Sequence, residues 1–234
     1  MSNFLKQMAD LSMARAELLP RSYDAVKLDM PSFDLHLSSF DIIAEYKANS
    51  PAEGRLTKPD LSKTDRFLSY AQGGAAAISV LTEPTRFDGS IFDLDAAVSA
   101  VSNLSLPVMR KDFLVDPRQI IESKIYGASG ILLIAALFEP TQLRYMLDCA
   151  HDHSLFVLLE SFDEEDVIKS KSLLAKSRYR VLAEQKKLLF GVNTRDLRTL
   201  AVNPKRLSLL AKGVPHEVIS VAESGLHNGK DILT

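Results

Sequence analysis

The sequence has 234 residues, 25% of them charged and 46% apolar, which suits one large α/β domain or two small ones. Its 28 Lys+Arg against 30 Asp+Glu leave a net charge of −2. That excludes a global field for nucleic acid or an acidic membrane, so an anionic ligand must be held by a local site. The single cysteine, Cys149, excludes an intramolecular disulfide, and no apolar run reaches spanning length. Both point to a soluble, cytoplasmic protein.

In chain order, residues 3–18 have helical periodicity, predicted to turn Phe4, Met8, Leu11 and Met13 toward the body. Residues 20–39, with Pro31, read as a loop or arm over one end of the domain. From residue 41 onward strand and helix patterns alternate. Strands are predicted at 42–45, 76–82, 107–110, 130–136, 156–160, 188–193 and 218–223. Helices are predicted at 60–72, 91–101, 117–126, 140–153 and 204–212, with 228–233 the first turns of another. Asp60 is the expected opener of the first of these, and Gly73-Gly74 its left-handed end. The irregular stretch 163–187 accommodates one helix plus an extra turn or loop. Cys149 falls in a helical pattern, where a packed thiol is expected. His151 and His153 are expected to be exposed near that helix's end.

The strands are continuous apolar runs, as in Ile131-Leu-Leu-Ile134 and Val157-Leu-Leu159. Such runs mark strands covered on both faces in a parallel sheet with helical crossovers. An open nucleotide-binding sheet would carry a glycine-rich turn after its first strand; here that position holds Lys47-Ala-Asn-Ser-Pro51. Polar residues instead follow most strands, as at the C-terminal mouth of a (β/α)8 TIM barrel. The predicted fold is that barrel, residues 41–234, with an N-terminal helix and arm at 1–40.

The strand ends carry Glu45 and Lys47, Thr82 and Glu83, Arg110 to Asp112, Glu160, Asn193 and Arg195, and Glu223 and Ser224. Carboxylates and lysines gathered in one cleft shift one another's pKa values and can run proton transfers at neutral pH. Taken singly, each has a plainer reading: Glu45–Lys47 a structural ion pair, Lys111–Asp112 a surface pair, Phe87 and Phe113 core residues, Asn193 a turn cap, Glu223-Ser224-Gly225 a turn. The five histidines include no HExxH, and their one HxH spacing, His151-Asp152-His153, falls near a helix end, so no metal site is expected, and there is no GxSxG elbow.

The strand-end stretches resemble indole-3-glycerol-phosphate synthase of tryptophan biosynthesis. The resemblance is carried by Ile43-Ala-Glu-Tyr-Lys-Ala-Asn-Ser-Pro51, Ala77-Ile-Ser-Val-Leu-Thr-Glu83, Phe87-Asp-Gly-Ser90, Arg110-Lys-Asp-Phe113, Gly191-Val-Asn-Thr-Arg-Asp-Leu197 and Ala222-Glu-Ser-Gly225, in order. It implies cofactor-free conversion of 1-(o-carboxyphenylamino)-1-deoxyribulose 5-phosphate to indole-3-glycerol phosphate, with loss of carbon dioxide and water. It also implies roles. Lys111 is the general acid at the ketone, its pKa expected to be lowered by a neighbouring cation, and Lys47 engages the substrate carboxylate. Glu45 and Glu160 orient the lysines and assist dehydration, and Asn193 positions the substrate. Ser50, Pro51, Phe87, Phe113 and Arg195 line the pocket. Glu223 and Ser224 close the mouth, and Ser224-Gly225 offer donors to the phosphate.

Two departures from the family pattern are visible. Phe162 stands where a histidine is usual, which alters the surroundings of Glu160. The family's eighth strand and its glycine-rich turn lie beyond Thr234, and the expectation is that the sequence has been cut short. The partner is a phosphorylated small molecule, without nucleic acid or membrane, bound by a monomer or weak homo-oligomer; association with other enzymes of the tryptophan pathway is left open. The alternative function is a catalytically impaired paralogue that binds a phosphorylated ligand or a protein, which predicts slack at Glu45, Lys47, Lys111 and Glu160.

Overall fold

Seven strands pair in parallel in the order in which they occur: β1 (Ile43–Tyr46), β2 (Ala77–Leu81), β3 (Val108–Lys111), β4 (Gly130–Ile134), β5 (Phe156–Ser161), β6 (Leu188–Asn193) and β7 (Ser220–Glu223). The computed structural model describes residues 4–23, 28–38, 40–51, 54–56 and 61–224. A doubly wound sheet reverses its strand order at a switch point; this one never does, so each crossover steps in the same direction. A flat sheet would hold β1 and β7 about 29 Å apart, six spacings of roughly 4.8 Å. Instead Glu45 of β1 and Glu223 of β7 approach the same ammonium group, at 3.4 and 2.8 Å. The sheet is curled into a (β/α)8 barrel.

Strand residues alternate between two apolar clusters because successive side chains point to opposite faces. Ile78, Val80, Val108, Ile131, Leu133, Val157 and Leu159 face outward and pack with Phe67, Leu94, Ile120, Leu143 and Leu147 of the helical shell. Ala77, Met109, Leu132, Ile134 and Leu158 face inward with Phe4, Met8 and Phe113. Two-sided burial explains why the inner strands β2, β4, β5 and β6 read as unbroken apolar runs, each buried along its whole length. The end strands β1 and β7 are mostly part-exposed.

The helices are α1 (Phe4–Glu17), α2 (Lys63–Gln72), α3 (Pro84–Phe87), α4 (Ile91–Val101), α5 (Pro117–Ile125), α6 (Pro140–Asp152), α7 (Glu164–Leu173), α8 (Ser177–Glu184) and α9 (Lys205–Leu210). Helix α2 opens at Ser62, whose hydroxyl accepts from the Asp65 amide; the expected opener Asp60 lies outside the described residues, as do 228–233. Of the two glycines at its end only Gly74 is left-handed (φ +81°), Gly73 being helical (φ −72°). The stretch 163–187 holds two helices, α7 and α8, each with its own buried face. In α1 the buried set is Phe4, Leu5, Met8, Ser12 and Ala16, with Met13 left 40% exposed. The periodic frame was right, but Met13 falls off its stripe. His151 and His153 are both half-buried rather than exposed, the His153 ring bonded to the Cys149 carbonyl at 2.8 Å. The Cys149 thiol is pushed up to about 11 by burial, as fits a packed group.

Helix α1 lies against the C-terminal ends of the strands. Gln119 donates to Ser12 Oγ at 2.8 Å, Arg15 to Asp112 at 2.7 Å, and Phe4 meets Phe113 edge-on at 6.1 Å. Residues 28–38 cross the opposite rim. There Phe33 N donates to Ser129 Oγ just before β4, and Lys186 donates to the Leu37 carbonyl just before β6. Among the described residues no helix is long and apolar enough to cross a membrane.

Candidate active site

The inner face of the sheet changes character toward its C-terminal end. Ile43, Met109, Leu158 and Val221 make an apolar floor, and two residues further along the same strands stand Glu45, Lys111, Glu160 and Glu223. All four come from odd-numbered strands, the rule by which alternate strands of a barrel fill one interior layer. In this chain the top odd layer is charged rather than aliphatic. It borders a cavity of 620 Å³.

Lys111 is the centre of the layer. Its Nζ lies 2.8 Å from Glu223 Oε2, 3.4 Å from Glu45 Oε2 and 3.8 Å from Glu160 Oε2. Burial by itself would lower the Lys111 pKa, but the charges of Glu223, Glu45 and Glu160 outweigh it and hold the group well above its ordinary value. This overturns the expectation of a lysine lowered by a neighbouring cation: its neighbours are three carboxylates. Lys47, just past β1, pairs instead with Glu45 Oε1 at 3.2 Å.

The carboxyls are not equivalent. Glu45 is 30% exposed and touches both lysines; burial raises its pKa, but Lys111 and Lys47 more than reverse this and leave it lowered. Glu160 is 1% exposed, and burial followed by the charge of Glu223 pushes it up to about 8 against the pull of Lys111. One carboxyl is thus held toward its ionised form and another pushed toward its protonated form within one cleft, the arrangement that separates a base from an acid. Glu223 Oε1 is buried with no hydrogen-bond partner among the described residues. A Cβ at Gly191 would sit 2.3 Å from that atom, so the absence of a side chain on β6 is what admits the Glu223 carboxylate.

Asn193 does two things at once. Its Nδ2 donates to Glu160 Oε1 at 3.0 Å, and its Oδ1 accepts from the Arg195 amide at 2.8 Å. Asn193 thus caps the turn after β6 and also lines the cavity. Ser50 and Pro51 border the cavity from the antiparallel ribbon Asn49–Ser50/Gly54–Arg55 that follows β1. Phe87 ends α3, which Glu83 caps through the Thr85 and Arg86 amides at 2.9 and 2.7 Å. Glu83 is thus a cap rather than a cavity group. Gly89 allows the turn after α3 to pass close to β2, since a Cβ there would lie 2.3 Å from the Leu81 carbonyl oxygen. Phe87 and Phe113 both line the cavity, ring centroids 6.3 Å apart, so they are wall and core together.

Arg195 borders the cavity, and its Nη1 donates to the Leu200 carbonyl at 3.2 Å. Ser224 follows β7 in the left-handed region (φ +63°), turning the chain at the mouth. Gly225 lies outside the described residues. The cavity therefore gathers every described residue to which the family resemblance assigns a role, while Thr82, Glu83 and Arg110 of the strand-end set do not line it.

Sequence reasoning missed the roof of the cavity. Leu200 and Val202, in the segment after β6, and Phe4 of α1 line it; Arg195 and Val202 pair across that segment. Leu200 at φ +64° marks a turn that no glycine or asparagine announced. Phe162 is fully buried, with the Arg198 guanidinium 4.9 Å above its ring. Glu160 therefore takes its side-chain hydrogen bond from Asn193. Among the described residues no His, Cys, Asp and Glu are grouped for a metal ion.

A family model described as indole-3-glycerol phosphate synthase matches residues 24–234. A Nocardioides protein of that name is 40% identical over 226 residues, 96% of this chain and 78% of that protein. One from a Parafrankia species is 37% identical over 94% of this chain and 74% of its own length. Another from Mycobacterium avium is 42% identical over 82% of this chain and 65% of its own length.

Proposed function

The chain belongs to the indole-3-glycerol phosphate synthase family, and from that premise we propose how its residues carry the reaction. The enzyme is a carboxy-lyase acting on a phosphorylated small molecule: it closes the indole ring of 1-(o-carboxyphenylamino)-1-deoxyribulose 5-phosphate, releasing carbon dioxide and water. The observation that carries the assignment of roles is the single ammonium of Lys111 set among three carboxylates at the rim of the cavity.

As the ring carbon attacks the ketone, its oxygen becomes an alkoxide, a stronger base than any lysine amine. An ammonium kept protonated by its neighbours is thus a competent donor there despite its raised pKa. Lys47 holds the substrate carboxylate until it leaves as carbon dioxide and the ring regains aromaticity. The hydroxyl formed in the first step then departs as water, taking the proton that Glu160 holds at neutral pH. Glu45, kept ionised, takes the carbon-bound proton that completes the indole. Asn193 fixes Glu160 in its orientation and engages the substrate nitrogen. The apolar floor with Phe87 and Phe113 receives the aromatic ring, Ser50, Pro51 and Arg195 flank it, and Ser224 with Gly225 donates to the phosphate.

Helix α1 and residues 28–38 make up a helix and arm over the barrel of strands β1 to β7. A cytoplasmic monomer or weak homo-oligomer is the expected state, and light scattering would give its mass. The non-catalytic alternative predicts slack at Glu45, Lys47, Lys111 and Glu160, whereas these side chains form one ion-pair chain.

The test is turnover followed by indole fluorescence. Lys111→Ala is expected to lower kcat roughly 10²–10⁴-fold, the range for loss of a general acid. A parent-like rate removes Lys111 from that role.

A further inference from the structure

Lys111 is flanked by two charged residues that face the other way. Val108 of β3 packs in the outer cluster and Met109 in the inner one. By the same alternation Arg110 and Asp112 are turned outward, with Lys111 between them turned inward. Arg110 and Asp112 are 4% and 2% exposed, so their charges depend on protein partners. Arg110 Nε donates to Thr82 Oγ1 at 3.0 Å, and its Nη1 donates to Glu122 Oε2 at 2.7 Å and to the Gln119 carbonyl at 3.2 Å. This ties the strand end to β2 and α5.

Both oxygens of Asp112 are filled. Oδ1 accepts from Arg15 Nη2 at 2.7 Å and from the Phe113 amide at 2.8 Å. Oδ2 accepts from Thr82 Oγ1 at 2.8 Å and Arg110 Nη2 at 3.3 Å. Asp112 borders the cavity, yet four donors already occupy a carboxylate with about four acceptor sites. It has no capacity left to serve a substrate.

The geometry points to Asp112 as a positioning residue for the ring closure: with Arg110 and Thr82 it clamps the outer face of the β3 terminus, and so fixes the direction in which Lys111 leaves the backbone. This rests on the reading of Lys111 as the proton donor. The last ladder bond is the one that the Lys111 carbonyl accepts from the Thr82 amide at 3.0 Å, and residues 112–115 have no regular structure. Beyond that bond the Asp112 contacts are what hold the chain as it leaves the strand. A displacement of about 1 Å at a reacting group costs on the order of 10²-fold in rate.

The experiment measures kcat and KM by indole fluorescence for Asp112→Asn and Thr82→Val, each in the parent and in the Lys111→Ala background. Asp112→Asn is expected to lower kcat about 10²-fold, with KM changed by less than about threefold; Thr82→Val, which removes one donor from the clamp, is expected to cost about threefold to tenfold. In the Lys111→Ala background neither substitution should lower the residual rate further, because the group they position is gone. A folded Asp112→Asn protein with parent kcat overturns the proposal. So does an equal fold-loss in both backgrounds, which would mean that the clamp acts on the fold alone. If circular dichroism finds Asp112→Asn unfolded, Thr82→Val decides by the same two criteria. A parent-like rate for Lys111→Ala overturns the reading of Lys111 and the clamp with it. A slow Lys111→Ala beside a fast Asp112→Asn overturns only the clamp.

Discussion

The end of β3 carries a charged network on each face, and the two are built to opposite rules. Outside, Arg110, Asp112 and Thr82 bond one another and α5, and both Asp112 oxygens have their full set of donors. Inside, three carboxylates compete for one ammonium, Glu160 is forced toward its protonated form, and Glu223 Oε1 finds no hydrogen-bond partner among the described residues. A fully satisfied buried network specifies one geometry. A crowded one holds its charges at a cost to stability, and that is what leaves protons movable when a substrate arrives. The barrel uses the first network to hold still the residue that the second keeps reactive.

The contrast can be broken from either side. Replacing Arg110 with Met leaves the buried Asp112 with Arg15 as its one cation among the described residues and the half-buried Glu122 without its arginine. Urea unfolding is expected to register a loss of about 3–5 kcal/mol, the usual consequence of removing one partner of a buried pair; a loss below about 1 kcal/mol would mean that the outer network is not the anchor described here.

On the inner face Glu160→Gln should have the opposite sign. The folded-state pKa of Glu160 is raised, so the parent is unpenalised while the carboxyl is protonated in both folded and unfolded states. It then loses stability as pH rises from the ordinary carboxylate range to about 8, above which the penalty is complete. The variant should therefore match the parent at pH 4 and exceed it at pH 9 by roughly 1–4 kcal/mol, the range seen when buried ionic groups are replaced. Its kcat should fall, and the parent's own kcat should decline as pH rises through about 8. A parent rate that is flat across that pH range removes Glu160 as proton donor.

The smallest effect sharpens the comparison most. Gly191→Ala adds one methyl group where Glu223 Oε1 now sits. The backbone there is ordinary, so the added group acts by moving the carboxylate away from Lys111. A drop in kcat of about tenfold, roughly 1.4 kcal/mol in transition-state terms, is expected. An unchanged rate would mean that the Glu223–Lys111 contact is dispensable.

Much of this was legible in the residues themselves. Apolar runs such as Ile131–Ile134 announced strands buried on both faces, and the charged or amide residue at each run's end marked the mouth. Helix ends were less legible. Ser62 caps α2 because a cap depends on which side-chain oxygen meets the Asp65 amide, which residue type alone does not settle. The break between α7 and α8 left no proline or glycine to read. Met13 was misplaced because a fourteen-residue helix can rotate its stripe by one position without altering its periodicity.

The sequence by itself determined the alternation of strands and helices, the parallel sheet, and the set of charged residues at one rim, since periodicity and the cost of burying polar groups are local and depend only on residue type. Only the tertiary structure decided the charge states. Lys111 is raised rather than lowered because curling the sheet brings Glu45 and Glu223, at opposite ends of the strand order, onto the same ammonium. Electrostatic interaction falls with distance in space and is blind to distance along the chain, so no spacing in the sequence records it.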